Sequence, residues 1–128
     1  MITIDNNEEL SIRTKSYFNE SPFRDQIEMM VGNAPDIIPT LSEKWDLVFI
    51  DADKENYSTY FDLVIDHMNE GGIILADNVL WSGKVSDASK NDDATMAIRS
   101  FNQKVHKDPR VQNVLFPIRD GLMMLRKL

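Results

Sequence analysis

Residues 45–57 read WDLVFIDADKENY, a short apolar run, LVFI at 47–50, that stops abruptly at Asp51, Asp53 and Lys54. A buried strand of an α/β sheet reads this way, apolar on both faces and charged where it emerges. Open α/β sheets bind ligands at the carboxyl ends of their strands, so two carboxylates and an ammonium stand where such a fold does its chemistry. Residues 71–78, GGIILADN, repeat the pattern: Ile73, Ile74 and Leu75 lead into Asp77 and Asn78. The spacing between Asp51 and Asp77 leaves room for one helix and a return strand. That is a βαβ unit, which sets oxygen ligands from two strand ends side by side.

Toward the N-terminus, residues 2–4 predict a short strand ending at Asp5, and residues 6–19 a helix. Asn6 or Asn7 can cap that helix, with Glu8 and Glu9 in its first turn where the dipole favours acids. Ser21-Pro22 interrupts, residues 26–31 read as a second strand closed by Gly32-Asn33, and residues 34–41 as one or two helical turns. Toward the C-terminus, Tyr60, Phe61, Val64, Ile65 and Met68 form one apolar stripe on a helix over 57–68. Glu70-Gly71-Gly72 is expected to stop it. Residues 79–91 read as a polar loop holding Trp81, Gly83 and Lys84, and loops of that length are often functional. Residues 93–107 read as a helix with Met96, Ile98, Phe101 and Val105 inward. Residues 111–118 and 121–125 read as strands joined through Asp120-Gly121, a strong hairpin signal. Six strands alternating with about four helices predict a three-layer α/β fold.

The 128 residues allow one domain, and 42% hydrophobic content allows a core. The formal net charge of −7, with no Lys/Arg cluster, argues against nucleic acid. The absence of cysteine removes disulfides and thiolate metal sites and fits a reducing cytoplasm. No apolar run approaches membrane-span length, and no signal peptide is expected.

Asp51, Asp77 and Asn78 are hard oxygen donors that suit Mg²⁺, Mn²⁺ or Ca²⁺ rather than zinc. Asp77 and Asn78 are adjacent, so for both to reach one ion the backbone must already be turning there. Lys54 beside a metal can have its pKa depressed enough to act as a base; alternatively it pairs with a carboxylate. The plainer readings stand beside these. An Asp at a strand end often only caps the next helix, and Asp5 can be read so. DADK alone carries little, whereas DADK with ADN after the next strand carries much more. His67 and His106 fall in expected helices without a partner motif and read as surface positions. Trp81 is either a misplaced core residue or, preferably, an aromatic wall for a ligand.

Taken together, ITIDNNEEL, VGNAPDIIPTL, WDLVFIDADKENY, GGIILADNVLWSGKV and DPRVQNVLFPIRDGLMMLRK resemble the metal-dependent class I S-adenosylmethionine O-methyltransferases. Within these the chain is most similar to the small bacterial members of the caffeoyl-CoA and catechol O-methyltransferase group. The resemblance implies that Asp51, Asp77 and Asn78 bind a divalent metal, which holds the two oxygens of a vicinal diol such as a catechol. It implies that Lys54 is the catalytic base and that Asp53 and Trp81 border the small-molecule acceptor. It further implies that Asp5 holds the ribose of S-adenosylmethionine, that Asn33 and Ala34 lie against the adenine, and that Asp51 also serves the cofactor. Methyl transfer would be an in-line displacement helped by proximity and orientation. The resemblance and the unpaired strand flank also imply a homodimer, while the composition and hydropathy point to a cytoplasmic location with no nucleic-acid or membrane partner.

Family members begin with several helices, then a strand leading into a glycine-rich loop that cradles the methionine part of the cofactor. This sequence starts at what should be the second strand, and Gly32, Gly71, Gly72, Gly83 and Gly121 form no such loop. The expectation is therefore a single, partial methyltransferase domain over 1–128. Its fold is α/β, with a Rossmann-like mostly parallel sheet and a C-terminal antiparallel hairpin, lacking the first helices, first strand and cofactor loop. The missing strand should lie between residues 2–4 and 45–50, so those strands close up on each other, are covered by a second copy, or belong to a longer enzyme. The 128-residue chain is expected to be weakly active or inactive. A remnant serving as a binding or assembly module is the alternative. A phospho-receiver domain fits less well, since no acid pair follows the first strand and no Lys-Pro follows a late one.

Overall fold

The computed structural model describes residues 1–128, which divide into the units Met1–Leu41 and Ser42–Leu128. In the first, strand β1 (Ile2–Asp5) leads into helix α1 (Glu8–Glu20), then strand β2 (Glu28–Val31) and the one-turn helix α2 (Ala34–Ile37). Asn7 is the cap of α1, its side chain accepting from the Leu10 amide, which satisfies one of the free amides of the first turn. β1 and β2 pair in parallel, with Asp5 opposite Val31. This unit has little interior: Ile38 is its one buried hydrophobic side chain, and Leu10, Ile12 and Tyr17 of α1 are exposed.

The second unit is built on strand β3 (Trp45–Ile50), helix α3 (Tyr57–Ile65), strand β4 (Met68–Asp77), helix α4 (Asp93–Lys107) and strands β5 (Val111–Phe116) and β6 (Leu122–Lys127). Its sheet runs β3-β4-β6-β5, parallel between β3 and β4 and antiparallel thereafter. The βαβ unit and the closing hairpin are thus both present. Ile50, Ile74, Ala76, Met123 and Leu125 are buried from the sheet, and Tyr57, Phe61, Val64, Ile65, Ile98, Phe101 and Val105 from α3 and α4. α4 carries a capping Asp92, which accepts from both the amide and the hydroxyl of Thr95.

Three expectations need correction. α3 ends at Ile65 rather than Met68, and Met68, Gly71 and Gly72 lie inside β4. The pairing with β3 jumps from Trp45–Met68 to Leu47–Ile73, so the Gly-Gly pair accommodates a bulge rather than stopping a helix. His67 is not helical; it lies in the turn before β4, stacked on Trp45 at 5.1 Å. Leu47, Phe49 and Val114 remain exposed on the sheet of the second unit. β3 forms a ladder with β4 alone.

Candidate active site

β3 and β4 run in register, with Ile50 opposite Ala76, so Asp51 and Asp77 emerge from neighbouring parallel strand ends. Asn78 follows with φ of +60°, a left-handed conformation that breaks strand alternation directly after Asp77. The Asp77 carboxylate accepts from the Asn78 amide at 2.7 Å. Lys54 is buried, and its Nζ lies 3.3 Å from Asp51 Oδ1 and donates to the hydroxyl of Tyr57. Its ammonium also stands 4.5 Å from the Tyr57 ring centroid and 5.9 Å from that of Trp81. Asp53 accepts from the hydroxyl of Tyr60 and from Asn56. Burial, then the charges of Asp51, Asp77 and Asp53, push the Tyr57 phenol well above its ordinary value, so it stays protonated. Burial and the hydrogen bond to Asp53 do the same for Tyr60.

Trp81 sits on a left-handed kink, with φ of 48° followed by 53° at Ser82. Two supports hold that loop. The β5–β6 turn supplies one: Val79 and Leu80 amides donate to the carbonyls of Gly121 (3.1 Å) and Asp120 (2.9 Å). Gly121 has φ of +83°, and a Cβ there would lie 2.5 Å from Leu80 Cγ, so glycine is demanded twice over. Arg99 of α4 supplies the other, donating to the carbonyls of Lys84 (2.9 Å), Val85 (3.0 Å) and Asp87 (2.6 Å). The indole Nε1 of Trp81 is buried without a hydrogen-bond partner. Lys84 stands 5.6 Å from the same ring.

In the first unit, Asp5 and Asn33-Ala34 come to one end of the β1–β2 pair, where the Gly32 amide donates to the Asp5 carbonyl at 2.9 Å. The Asp5 carboxylate is exposed and accepts from the Asn7 amide at 2.8 Å. Asn33 caps α2 by position and donates to Asp36 at 3.3 Å.

No group of three or more His, Cys, Asp or Glu side chains stands at metal-holding spacing. The donor set at the β3 and β4 ends is smaller, two carboxylates and one carboxamide, all oxygen. Such a set fits a hard divalent ion that keeps several waters, as Mg²⁺ does, and does not fit zinc. Sequence reading left Tyr57 outside the site and gave Tyr60 only to the apolar stripe; Arg99 went unremarked. A phenol on a buried stripe must find a partner for its hydroxyl, and that was the available signal for the tyrosines.

The family model described as O-methyltransferase matches residues 1–128. The chain belongs to the O-methyltransferase family. Among curated members, this O-methyltransferase chain is 45% identical over 85 residues to "Probable caffeoyl-CoA O-methyltransferase 2" of Dictyostelium discoideum, covering 66% of the chain and 37% of that protein. It is 31% identical over 120 residues to a caffeoyl-CoA O-methyltransferase of Mesembryanthemum crystallinum, covering 87% and 44%. A solved O-methyltransferase from Bacillus cereus in complex with SAH superposes with a TM-score of 0.91 at 27% identity, covering 99% of this chain and 62% of that one. The chain thus spans less than half the length of these curated relatives and about 60% of the solved ones. No helix is long and apolar enough to cross a membrane.

Proposed function

We propose that the chain carries the catalytic end of an S-adenosylmethionine- and divalent-metal-dependent O-methyltransferase acting on a catechol-like vicinal diol. One observation carries this reading. The carboxyl ends of two register-paired parallel strands present Asp51, Asp77 and a turned Asn78, with the buried Lys54 against Asp51. When bound, a divalent ion supplies charge that favours the deprotonated acceptor hydroxyl, and S-adenosylmethionine supplies the electrophilic methyl group. The chain's part is to hold and orient. Asp51, Asp77 and Asn78 hold the ion. Lys54, fixed against Asp51, is placed to take the acceptor's proton as the neutral amine, once its own proton has left. Asp53, locked by Tyr60 and Asn56, and Trp81 border the acceptor. Asp5, Asn33 and Ala34 hold the nucleoside, with Asp51 toward the cofactor. The Bacillus cereus relative's complex with SAH supports the cofactor reading.

The exposed Leu47, Phe49 and Val114 support a homodimer, and the acidic, cysteine-free composition supports a cytoplasmic location. The test is methyl transfer from S-adenosylmethionine to catechol by the 128-residue chain with Mg²⁺, with the product weighed by mass spectrometry. Slow methylation that chelation and Asp77→Ala both abolish is expected. Methylation that survives chelation overturns the metal-dependent reading. No product from a folded, dimeric chain leaves the remnant binding module in its place.

A further inference from the structure

We infer that Tyr57 is a positioning residue of the proposed site: its hydroxyl ties the end of β3 to the end of β4 and fixes the ammonium of Lys54 against Asp51. The inference rests on the proposed metal site at Asp51, Asp77 and Asn78. Tyr57 is fully buried at the first position of α3, and its ring is gripped edge-on by Phe101 at 5.4 Å between centroids. Its single proton is shared between two backbone carbonyls, that of Asp77 at 2.9 Å and that of Ile50 at 3.3 Å. One carbonyl belongs to a proposed ligand, and the other lies in the peptide bonded directly to Asp51. Its oxygen in turn accepts from Lys54 Nζ, which has Asp51 as its other polar partner.

The consequence is geometric. The residue pairing of β3 with β4 ends at Ile50 and Ala76, one residue before Asp51 and Asp77. The phenol adds a side-chain tie between the two strand ends at the level of the ligands. Metal and catalytic groups must be held to within about 0.5 Å to function. Removing the hydroxyl leaves two carbonyls without their donor and Lys54 with a single acceptor, which frees both strand ends and the ammonium to shift.

The experiment is a Mn²⁺ titration, followed by the electron paramagnetic resonance of the free ion, of the wild-type chain, Tyr57→Phe and Val105→Ala. Val105 is buried in α4 and serves as a matched loss of packing. Tyr57→Phe is expected to weaken Mn²⁺ binding about tenfold, in line with a lost hydrogen bond to a charged group. Val105→Ala should lower the melting temperature and leave Mn²⁺ affinity at the wild-type value. Equal affinity in Tyr57→Phe and wild type overturns the positioning role while the metal site stands. No binding by the wild type overturns the metal reading and the inference with it. Should Tyr57→Phe fail to fold, the wild type labelled with ζ-¹³C-tyrosine gives the answer. Mg²⁺ is expected to move the Tyr57 resonance more than that of the exposed Tyr17, and equal, negligible shifts overturn the inference.

Discussion

The two parallel strand pairs end in acids, yet they are built very differently. At the end of β3–β4, Tyr57 of α3 ties the strand ends together and accepts from Lys54, and Phe101 of α4 closes over Tyr57. At the end of β1–β2, Asp5 is exposed and its carboxylate is engaged only by the nearby Asn7 amide, and the Asn33 side chain only by Asp36 within its own turn. The interior explains the contrast. Sixteen of the seventeen buried hydrophobic residues lie in Ser42–Leu128, and Met1–Leu41 contributes Ile38 alone. About 40 residues is near the lower limit for a chain to fold on its own core. The lesson is that the proposed metal end is preorganised by packing, whereas the proposed nucleoside end is shaped by local turns.

The largest effect should come from the core that underlies the locked end. Phe101→Ala is expected to cost about 3–5 kcal/mol, whereas Ile12→Ala, on the exposed face of α1, should change stability by less than about 0.5 kcal/mol. Urea unfolding followed by circular dichroism checks both, and comparable losses would erase the contrast.

Next in size is Gly121→Ala. A methyl group there meets Leu80 and forces a left-handed alanine, so a loss of about 1–3 kcal/mol is expected. The fluorescence of Trp81, read in a Trp45→Phe background, should change with it. An unaltered spectrum would mean that the β5–β6 turn does not hold the Trp81 loop.

The strand ends were legible because an apolar run followed by acid is visible in the letters. A cap at Asn6 or Asn7 and the hairpin at Asp120-Gly121 follow from local chemistry in the same way, whereas the turn at Asn78 was expected only on the premise that Asp77 and Asn78 reach one ion. The end of α3 was not legible: Glu70-Gly71-Gly72 looks like a helix stop, but Gly71, with φ of +80°, serves a bulge inside β4. A Cβ at Gly72 would lie 2.9 Å from the Asn69 carbonyl, a constraint set by strand pairing rather than by local propensity. Arg99 was hidden for a similar reason, since backbone carbonyls have no sequence signature. Tyr60 was hidden by its apolar stripe, and Tyr57 by its place at the helix start, since a ring and a hydroxyl answer to different neighbours.

The smallest expected effect concerns pH. The Arg110 guanidinium holds the Asp108 carboxylate below its ordinary value of 3.8. A carboxylate depressed in the folded state stabilises above its unfolded pKa, and that stability is lost as pH falls through the folded value. Asp108→Asn should therefore lower the melting temperature by a few degrees at pH 6 and by less at pH 3. An equal loss at both values would show that the pair contributes packing rather than charge.

The most direct test of the locked end as a metal site is the stoichiometry of Mn²⁺ on the 128-residue chain. One Mn²⁺ per chain is expected, displaced by excess Mg²⁺ and abolished by Asp77→Ala in a protein that keeps its wild-type circular dichroism. A chain that binds no Mn²⁺, or an Asp77→Ala variant that binds it as the wild type does, would contradict the account.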